Sequence, residues 1–174
     1  MRRLLTAIVV AAAAVMCLSP SPAEGSARML GPSSNVCANA PIPTGSMPTA
    51  YFDWYQCGQP GTIYYNAKTL QVISDTAAGG TVTTCITPPP PAGFYATALS
   101  YSFNCEISKT PNGVLNNQQT LTNINGLPSG RTLIICGVQS APPGWTVVAV
   151  VQTYLCVYPR GGGIGDNAVS IRKL

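Results

Sequence analysis

The pattern of apolar and polar residues after the N-terminal segment indicates strands rather than helices. Residues 81–86 (TVTTCI) and 132–136 (TLIIC) are β-branched runs that follow glycine-containing turns, as strands commonly do. Each run leads into a proline-rich segment, which cannot pair in the middle of a sheet and therefore predicts an exposed connection. A longer strand and then a short one follow, and no segment has a helical period. The pattern predicts an all-β protein built from antiparallel three-stranded meanders.

The chain repeats this arrangement three times. Three pairs of cysteines share one spacing of twenty positions: Cys37/Cys57, Cys85/Cys105 and Cys136/Cys156. A Pro-x-Gly sequence follows the first cysteine of each pair at a constant distance, and an N-x-x-[ST]-[LI] motif follows the second. The period is about fifty residues, which is typical of a repeat protein. We divide the chain into a leader (1–27) and three units: 28–80, 81–131 and 132–174.

Alternation along the longer strand predicts how the units pack. In the second unit Leu99, Tyr101 and Phe103 share a side with Cys105, and the opposite side is small and polar. In the third unit both sides are apolar, so we expect residues 147–155 to be covered on both faces. The three units are therefore expected to pack together with the third most enclosed, either in a line or in a closed three-fold arrangement such as a trefoil or prism.

Residues 1–27 have the pattern of a secretory signal peptide. Two arginines precede an apolar run at residues 4–18, and small residues allow cleavage after Ala23 or Ala27. The run is shorter than the roughly 20 residues that a membrane-spanning helix needs, so we expect no membrane span in the mature chain. The pattern predicts a secreted, extracellular protein, with the periplasm and a lipoprotein anchored at Cys17 as alternatives.

Removal of the leader leaves six cysteines, which in an exported chain indicate disulfide bonds. The repeat favours pairing within units. The alternative shifts the pairing by one, with Cys57–Cys85 and Cys105–Cys136 bonded and the outer two cysteines closing a ring. Metal binding by these thiols is not expected, because no C-x-x-C spacing occurs and the chain has no histidine.

Composition argues against an enzyme. Without histidine the chain lacks the commonest general base and triad member. The four acidic residues after the leader fall at non-equivalent repeat positions, so no catalytic pair is predicted among them: Asp53, Asp75, Glu106 and Asp166. The glycines at 161–165 are interpreted as a turn rather than an ion-binding loop. The formal net charge is only +4, which together with export argues against nucleic acid. No catalytic residue, metal or cofactor is predicted.

Aromatic residues are the candidates for binding. Phe94 and Trp145 directly follow the Pro-x-Gly turn, where an exposed ring could stack on a sugar or a buried one could cap the core. Tyr64 and Tyr65 lie in a loop of the first unit and have no counterparts in the others. A further aromatic stands two positions before each second cysteine, and we expect these rings to pack against the disulfides: Tyr55, Phe103 and Tyr154.

The full pattern, C-x5-P-x-G-[FW]-x-x-[TV]-A-x4-[FY]-x-C followed by N-x-x-[ST]-[LI], resembles tandem cysteine-containing repeats of secreted bacterial proteins. It is strict in the second and third units, and Ser46 replaces the turn aromatic in the first. The resemblance covers residues 37–174 and implies export and repeat architecture, but no activity or residue role. The leading hypothesis is a non-enzymatic binding or adhesion protein for an extracellular glycan, cell surface or protein partner. A structural coat or matrix protein, or an inhibitor presenting residues 88–91 to a hydrolase, are the alternatives.

Overall fold

The computed structural model describes residues 31–110, 116–137, 140–157 and 167–174. The signal peptide predicted at 1–27, Cys17, the glycines at 161–165 and Asp166 lie outside the described residues. Within the described part, no helix is long and apolar enough to cross a membrane.

The all-β prediction and the three units are confirmed in the described part of the chain. Each unit has three strands, with a short 3-10 helix after the second. The first unit holds β1 (Ser33–Cys37), β2 (Ser46–Phe52), η1 (Tyr55–Cys57) and β3 (Ala67–Val72). The second holds β4 (Thr81–Cys85), β5 (Phe94–Ser100), η2 (Phe103–Cys105) and β6 (Gln118–Asn123). The third holds β7 (Thr132–Cys136), β8 (Trp145–Val151), η3 (Tyr154–Cys156) and β9 (Ala168–Lys173).

The order of strands within each sheet differs from the simple meander that we expect from sequence. In every unit the third strand lies in the middle, giving the orders β1-β3-β2, β4-β6-β5 and β7-β9-β8. Both neighbours are antiparallel to the middle strand, so the first and second strands run parallel on opposite edges. The proline-rich segment must cross from one edge to the other, and in the third unit its Ala141 packs on the core.

The three disulfides join the cysteines within each unit, as the repeat predicts: Cys37–Cys57, Cys85–Cys105 and Cys136–Cys156. This excludes the shifted pairing. Each bond connects the end of one edge strand to the 3-10 helix that follows the other edge strand. In the third unit the two sulfurs pack with Ala168, the first residue of the middle strand. The disulfide thus holds the two edge strands together at one end of the sheet.

The Pro-x-Gly motif forms the turn that starts the second strand. In the second unit the amide of Phe94 donates to the carbonyl of Pro91 at 3.1 Å, and Gly93 has φ +85°. A β-turn of this kind requires a positive φ at its third residue, which glycine adopts without steric cost. The Gly93 carbonyl then accepts from Ile124 at 2.8 Å, just beyond the middle strand. The motif therefore places the second strand beside the third.

The repeated asparagine has an equally specific role. In the second unit Asn117 accepts from the Ser102 amide at 2.8 Å and donates to the Ser102 carbonyl at 3.0 Å. Asn66 does the same for Trp54, and Asn167 for Thr153. Each amide side chain satisfies both backbone groups of the residue at which the second strand gives way to the 3-10 helix, a place without a strand partner.

A β-bulge interrupts the second strand of every unit. The extra residue lies between the paired residues Ala96 and Ala98 in the second unit, and the other units have it at the same place. A bulge shifts the alternation of side chains by one position. Phe94 therefore lies in the core before the bulge and Leu99 after it, although a regular strand would put them on opposite faces.

Neighbouring units share their hydrophobic cores. Met47 and Ile73 of the first unit pack with buried side chains of the second, including Val82 and Leu121. Ile124 of the second unit packs in the same way with the third unit, where Ile171 is fully buried. The extensive contacts among the described strands join consecutive units only, with β2 against β4 and η2, and β5 against β7 and η3. The units therefore form a line rather than a closed three-fold arrangement.

The prediction that the third unit is the most enclosed is wrong. In β8, five consecutive residues from 146 to 150 are exposed, whereas the corresponding parts of β2 and β5 are mostly half-buried. Val148 is 58% and Val150 48% exposed. The reason is packing, because β2 and β5 each lie against the first strand and the 3-10 helix of another unit, whereas the extensive contacts of β8 within the described residues are with β9 alone.

The asparagine contacts give a stability prediction. Replacing Asn117 by alanine leaves the Ser102 amide without a partner, while the Ser102 carbonyl still accepts from the Cys105 amide at 3.0 Å. The change should lower the free energy of unfolding by about 1–3 kcal/mol. Urea unfolding followed by circular dichroism measures the change. The control is Asn35→Ala, because Asn35 is exposed and only accepts from the Thr69 hydroxyl; its loss should stay within about 0.5 kcal/mol. Equal losses in the two variants would contradict this role.

Burial of the disulfides predicts the order in which they are reduced. The Cys37–Cys57 bond is half-exposed, whereas the cysteines of the other two units are buried. Because a thiolate must reach the sulfur it attacks, Cys37 and Cys57 should be reduced first by a mild thiol reductant. Brief reduction, alkylation and peptide mass mapping test this. Alkylation of Cys136 or Cys156 before Cys37 would show that the junctions open more readily than the structure implies.

Candidate functional site

One aromatic or phenolic ring per unit points into solvent at the same repeat position. Tyr55 is 84%, Phe103 77% and Tyr154 82% exposed. The expectation that these rings pack against the disulfides is wrong, because the strand has ended and the chain has entered a 3-10 helix. In η2 and η3 the cysteine turns inward and is buried, and the ring two residues earlier turns outward. We call Tyr55, Phe103 and Tyr154 the aromatic row.

Phe94 and Trp145 are in the opposite situation. Each is only 6% exposed and belongs to a core shared between units. The Nζ of Lys173 lies 5.6 Å from the centre of the Trp145 ring and shields it further. The sequence leaves two roles open for these rings, stacking on a sugar and capping the core. The structure places both rings in the core, with little surface left for stacking on a ligand.

A cavity of about 200 Å³ opens at the junction of the first and second units. The Cys85–Cys105 disulfide forms part of its wall, together with the rings of Tyr51 and Tyr101. Glu106 and Asn117 supply polar groups to the same wall. Apolar surface with a few fixed polar groups is the usual composition of a small-molecule site.

The cavity depends on residues that the repeat does not share. Leu99 stands at the position of Tyr51 in the second unit, and there it is buried against the Cys136–Cys156 disulfide. The positions of Tyr101 and Glu106 hold Gln152 and Val157 in the third unit. The phenols and the carboxylate therefore occur together only at the first of the two junctions.

Tyr101 and Glu106 form a hydrogen-bonded pair in the cavity wall. The Tyr101 hydroxyl donates to Oε1 of Glu106 at 2.5 Å. This hydrogen bond, with burial and the nearby negative charge, raises the pKa of Tyr101 to about 12. Burial also raises the pKa of Tyr51, whose hydroxyl donates to the Thr87 carbonyl at 3.4 Å. Both phenols are therefore neutral hydrogen-bonding groups at physiological pH.

The aromatic row meets the cavity at Phe103. Its ring packs edge-on against Tyr101, with the ring centres 5.0 Å apart. Tyr101 thus contacts an exposed aromatic ring and also lines the cavity. Phe103 therefore stands next to the cavity wall.

The loop that carries Tyr64 and Tyr65 closes over the same junction. The Tyr65 amide donates to the Ile107 carbonyl at 3.1 Å, and Tyr64 forms an isolated bridge with Ser108. Lys109 anchors this loop, with its Nζ 2.5 Å from Asp53 and 5.5 Å from the centre of the Tyr65 ring. Tyr65 is half-buried in this contact, whereas Tyr64 is 62% exposed beside the cavity-lining Ser108.

The acidic residues of the described part are engaged separately. Asp53 pairs with Lys109 and Glu106 with Tyr101, while Asp75 accepts from the Ser74 hydroxyl at 3.1 Å. Among the described residues no three side chains of the metal-binding types cluster closely enough to hold an ion.

The sequence matches no protein-family model, and no curated protein or solved structure shows significant similarity to the chain. Function is therefore inferred from the geometry of the junction and the row.

The Tyr101–Glu106 pair predicts a distinctive titration. Because the pKa of Tyr101 is raised in the folded protein, the stability that the pair contributes is present below pH 10 and is lost as the pH rises towards about 12. Ring-labelled tyrosine NMR should show a phenol that titrates near pH 12, assigned to Tyr101 by its absence in Tyr101→Phe. In Glu106→Gln the same signal should titrate closer to pH 10. An unchanged titration in Glu106→Gln would show that the carboxylate does not hold the proton.

Proposed function

We propose that this protein is a non-enzymatic binding module for an extended extracellular glycan, such as a cell-envelope polysaccharide. The observation that carries the proposal is the aromatic row, in which three successive units present a solvent-exposed ring at one repeat position. Each unit thus offers the same kind of contact surface, and an exposed aromatic ring supplies a large apolar face for binding. A sugar ring has an apolar face of C–H groups that packs on an aromatic ring, and hydroxyl groups at its edge.

Repetition suits a polymer better than a small ligand. Each exposed ring offers a small contact area and hence a weak site. Linking weak sites at fixed spacing raises the overall affinity, because each later contact forms within the same complex. A polysaccharide repeats its sugar faces along its length and can therefore contact several rings of the row at once.

The junction cavity supplies a deeper subsite beside Phe103. Its neutral phenols and the amide of Asn117 are of the kind that hydrogen-bond sugar hydroxyls, and the Glu106 carboxylate can accept from a hydroxyl as well as from Tyr101. The exposed Tyr64 stands beside the same cavity. This combination favours a glycan over a purely apolar partner, which could not form hydrogen bonds with these polar groups.

The inhibitor alternative is less well supported. An inhibitory loop must project from its scaffold to enter an enzyme's active site, but Pro88, Pro89 and Pro91 line a cavity together with Met47 and Lys68 of the first unit. The proline-rich loop of the second unit therefore lies against its neighbour.

Binding to insoluble polysaccharides tests the proposal. Depletion isotherms are measured with chitin, cellulose and purified peptidoglycan. Phe103→Ala should weaken binding to the preferred polymer about ten-fold, and the triple alanine variant of the aromatic row should abolish it. Because all three rings are exposed, these changes should alter the free energy of unfolding by less than about 0.5 kcal/mol each.

The matched control is Ile134→Ala, which removes an exposed apolar side chain from β7 without touching the row. It should bind as the parent does. Phe94→Ala and Trp145→Ala are unsuitable tests, because emptying either buried site costs about 3–5 kcal/mol of stability. A triple row variant that is folded and binds every polymer like the parent would refute the proposal.

A further inference from the structure

The two junctions within the chain follow one packing rule. The second strand of one unit lies against the first strand and the 3-10 helix of the next. At the second junction Leu99 of β5 packs on the Cys136–Cys156 disulfide. At the first junction Tyr51 occupies the position of Leu99 and lines a cavity with the Cys85–Cys105 disulfide. The Thr49 carbonyl of β2 also lies 3.9 Å from the Cys105 sulfur.

The C-terminal unit exposes one half of this junction. Val150 stands at the repeat position of Tyr51 and Leu99, and it is 48% exposed, whereas Leu99 is buried against a disulfide. Val147 and Val148 are exposed beside it on β8, which is an edge strand of its sheet. An exposed apolar edge strand is a ready site for association with another chain.

The N-terminal unit exposes the other half. The first three residues of β1 are exposed, and the Cys37–Cys57 disulfide is half-exposed. The corresponding disulfides of the second and third units are buried, and each lies against a preceding unit. The two ends of the line therefore carry complementary surfaces of one interface that the molecule already forms twice.

We propose that copies of this protein associate head to tail, with β8 of one copy against β1 and the Cys37–Cys57 disulfide of the next. Val150 then covers the disulfide of the second copy as Leu99 covers Cys136–Cys156 within the chain. Because the contact joins two different surfaces, it does not close into a symmetric dimer and further copies can add to either end.

The exposed surface of β1 is more polar than the corresponding surfaces of β4 and β7. Association between copies is therefore weaker than the packing at the internal junctions. Ser34 stands at the repeat position of Val82 and Leu133 and is exposed, so this end offers less apolar surface. Within the chain the junctions also form between tethered units, whereas copies must meet by diffusion. The association is therefore reversible and depends on concentration. It does not rest on the proposed glycan binding, since neither end includes Phe103 or the junction cavity.

Sedimentation velocity and light scattering over a concentration series of the purified mature protein test the proposal. The weight-average mass should rise about two-fold or more from dilute to concentrated samples. Val150→Lys blocks the β8 end and Ser34→Lys blocks the β1 end, and each variant alone should remain monomeric. Both substituted positions are exposed, so the fold is kept. The control is Thr83→Lys, which adds the same charge at an exposed position of β4 and should associate like the parent.

Mixing the two blocked variants gives the decisive result. Val150→Lys retains an intact β1 end and Ser34→Lys an intact β8 end, so an equimolar mixture should form dimers and no larger species. If Ser34→Lys alone associates like the parent, the contact joins two β8 strands and the head-to-tail arrangement is wrong. A parent protein that stays monomeric at all concentrations, with β8 covered by another part of its own chain, would also overturn the proposal.

Discussion

The structure depends on the contact between the second strand of one unit and the disulfide-bonded end of the next. A sheet of three short strands depends on a covered hydrophobic face for its stability. The disulfide limits the freedom of each unfolded unit, and it also presents a compact apolar surface on which the preceding unit packs. Leu99 on Cys136–Cys156 shows this double role most clearly. Because each junction is completed by its neighbour, the units make one molecule rather than three linked domains.

The three units share one backbone arrangement but differ in side chains. The candidate site arises from these side-chain differences. At the second junction a leucine fills the space above the disulfide. At the first junction Tyr51 stands in its place, Tyr101 and Glu106 stand where the third unit has Gln152 and Val157, and a cavity remains. The Tyr64 loop lies beside the same junction, where Tyr64 bridges Ser108 and Lys109 pairs with Asp53. The packing that both junctions share thus holds the units in line. The residues that differ between repeats give the first junction a chemistry that the second junction lacks, next to the aromatic row.

The sequence predicts the features that depend on the spacing of residues along the chain. It misses those that depend on packing against a neighbouring unit. The disulfide pairing, the strand class and the period follow from positions along the chain, and the structure adds physical reasons such as the two bonds that Asn117 makes to Ser102. Strand alternation was misleading because a bulge shifts it within the second strand. Exposure of Phe103 was missed because the strand pattern continues in the sequence after the strand has ended in η2. The burial of Phe94 and Trp145 reflects the shared cores, which no local pattern encodes.

The apolar composition of β8 is also explained by packing between units. Its sequence is typical of a strand covered on both faces, yet in the single chain five successive residues are exposed. Terminal units of repeat proteins normally carry polar outer surfaces, because nothing packs beyond them. The first unit has polar residues on its outer strand (Ser33, Ser34 and Asn35), which weaken the proposed contact with β8 without preventing it, whereas β8 is apolar and exposed. β2 and β5 stand at the same place in their units, and each lies against another unit. The composition of β8 therefore fits a strand that packs on a further surface, which in the proposed assembly is the β1 end of a second copy.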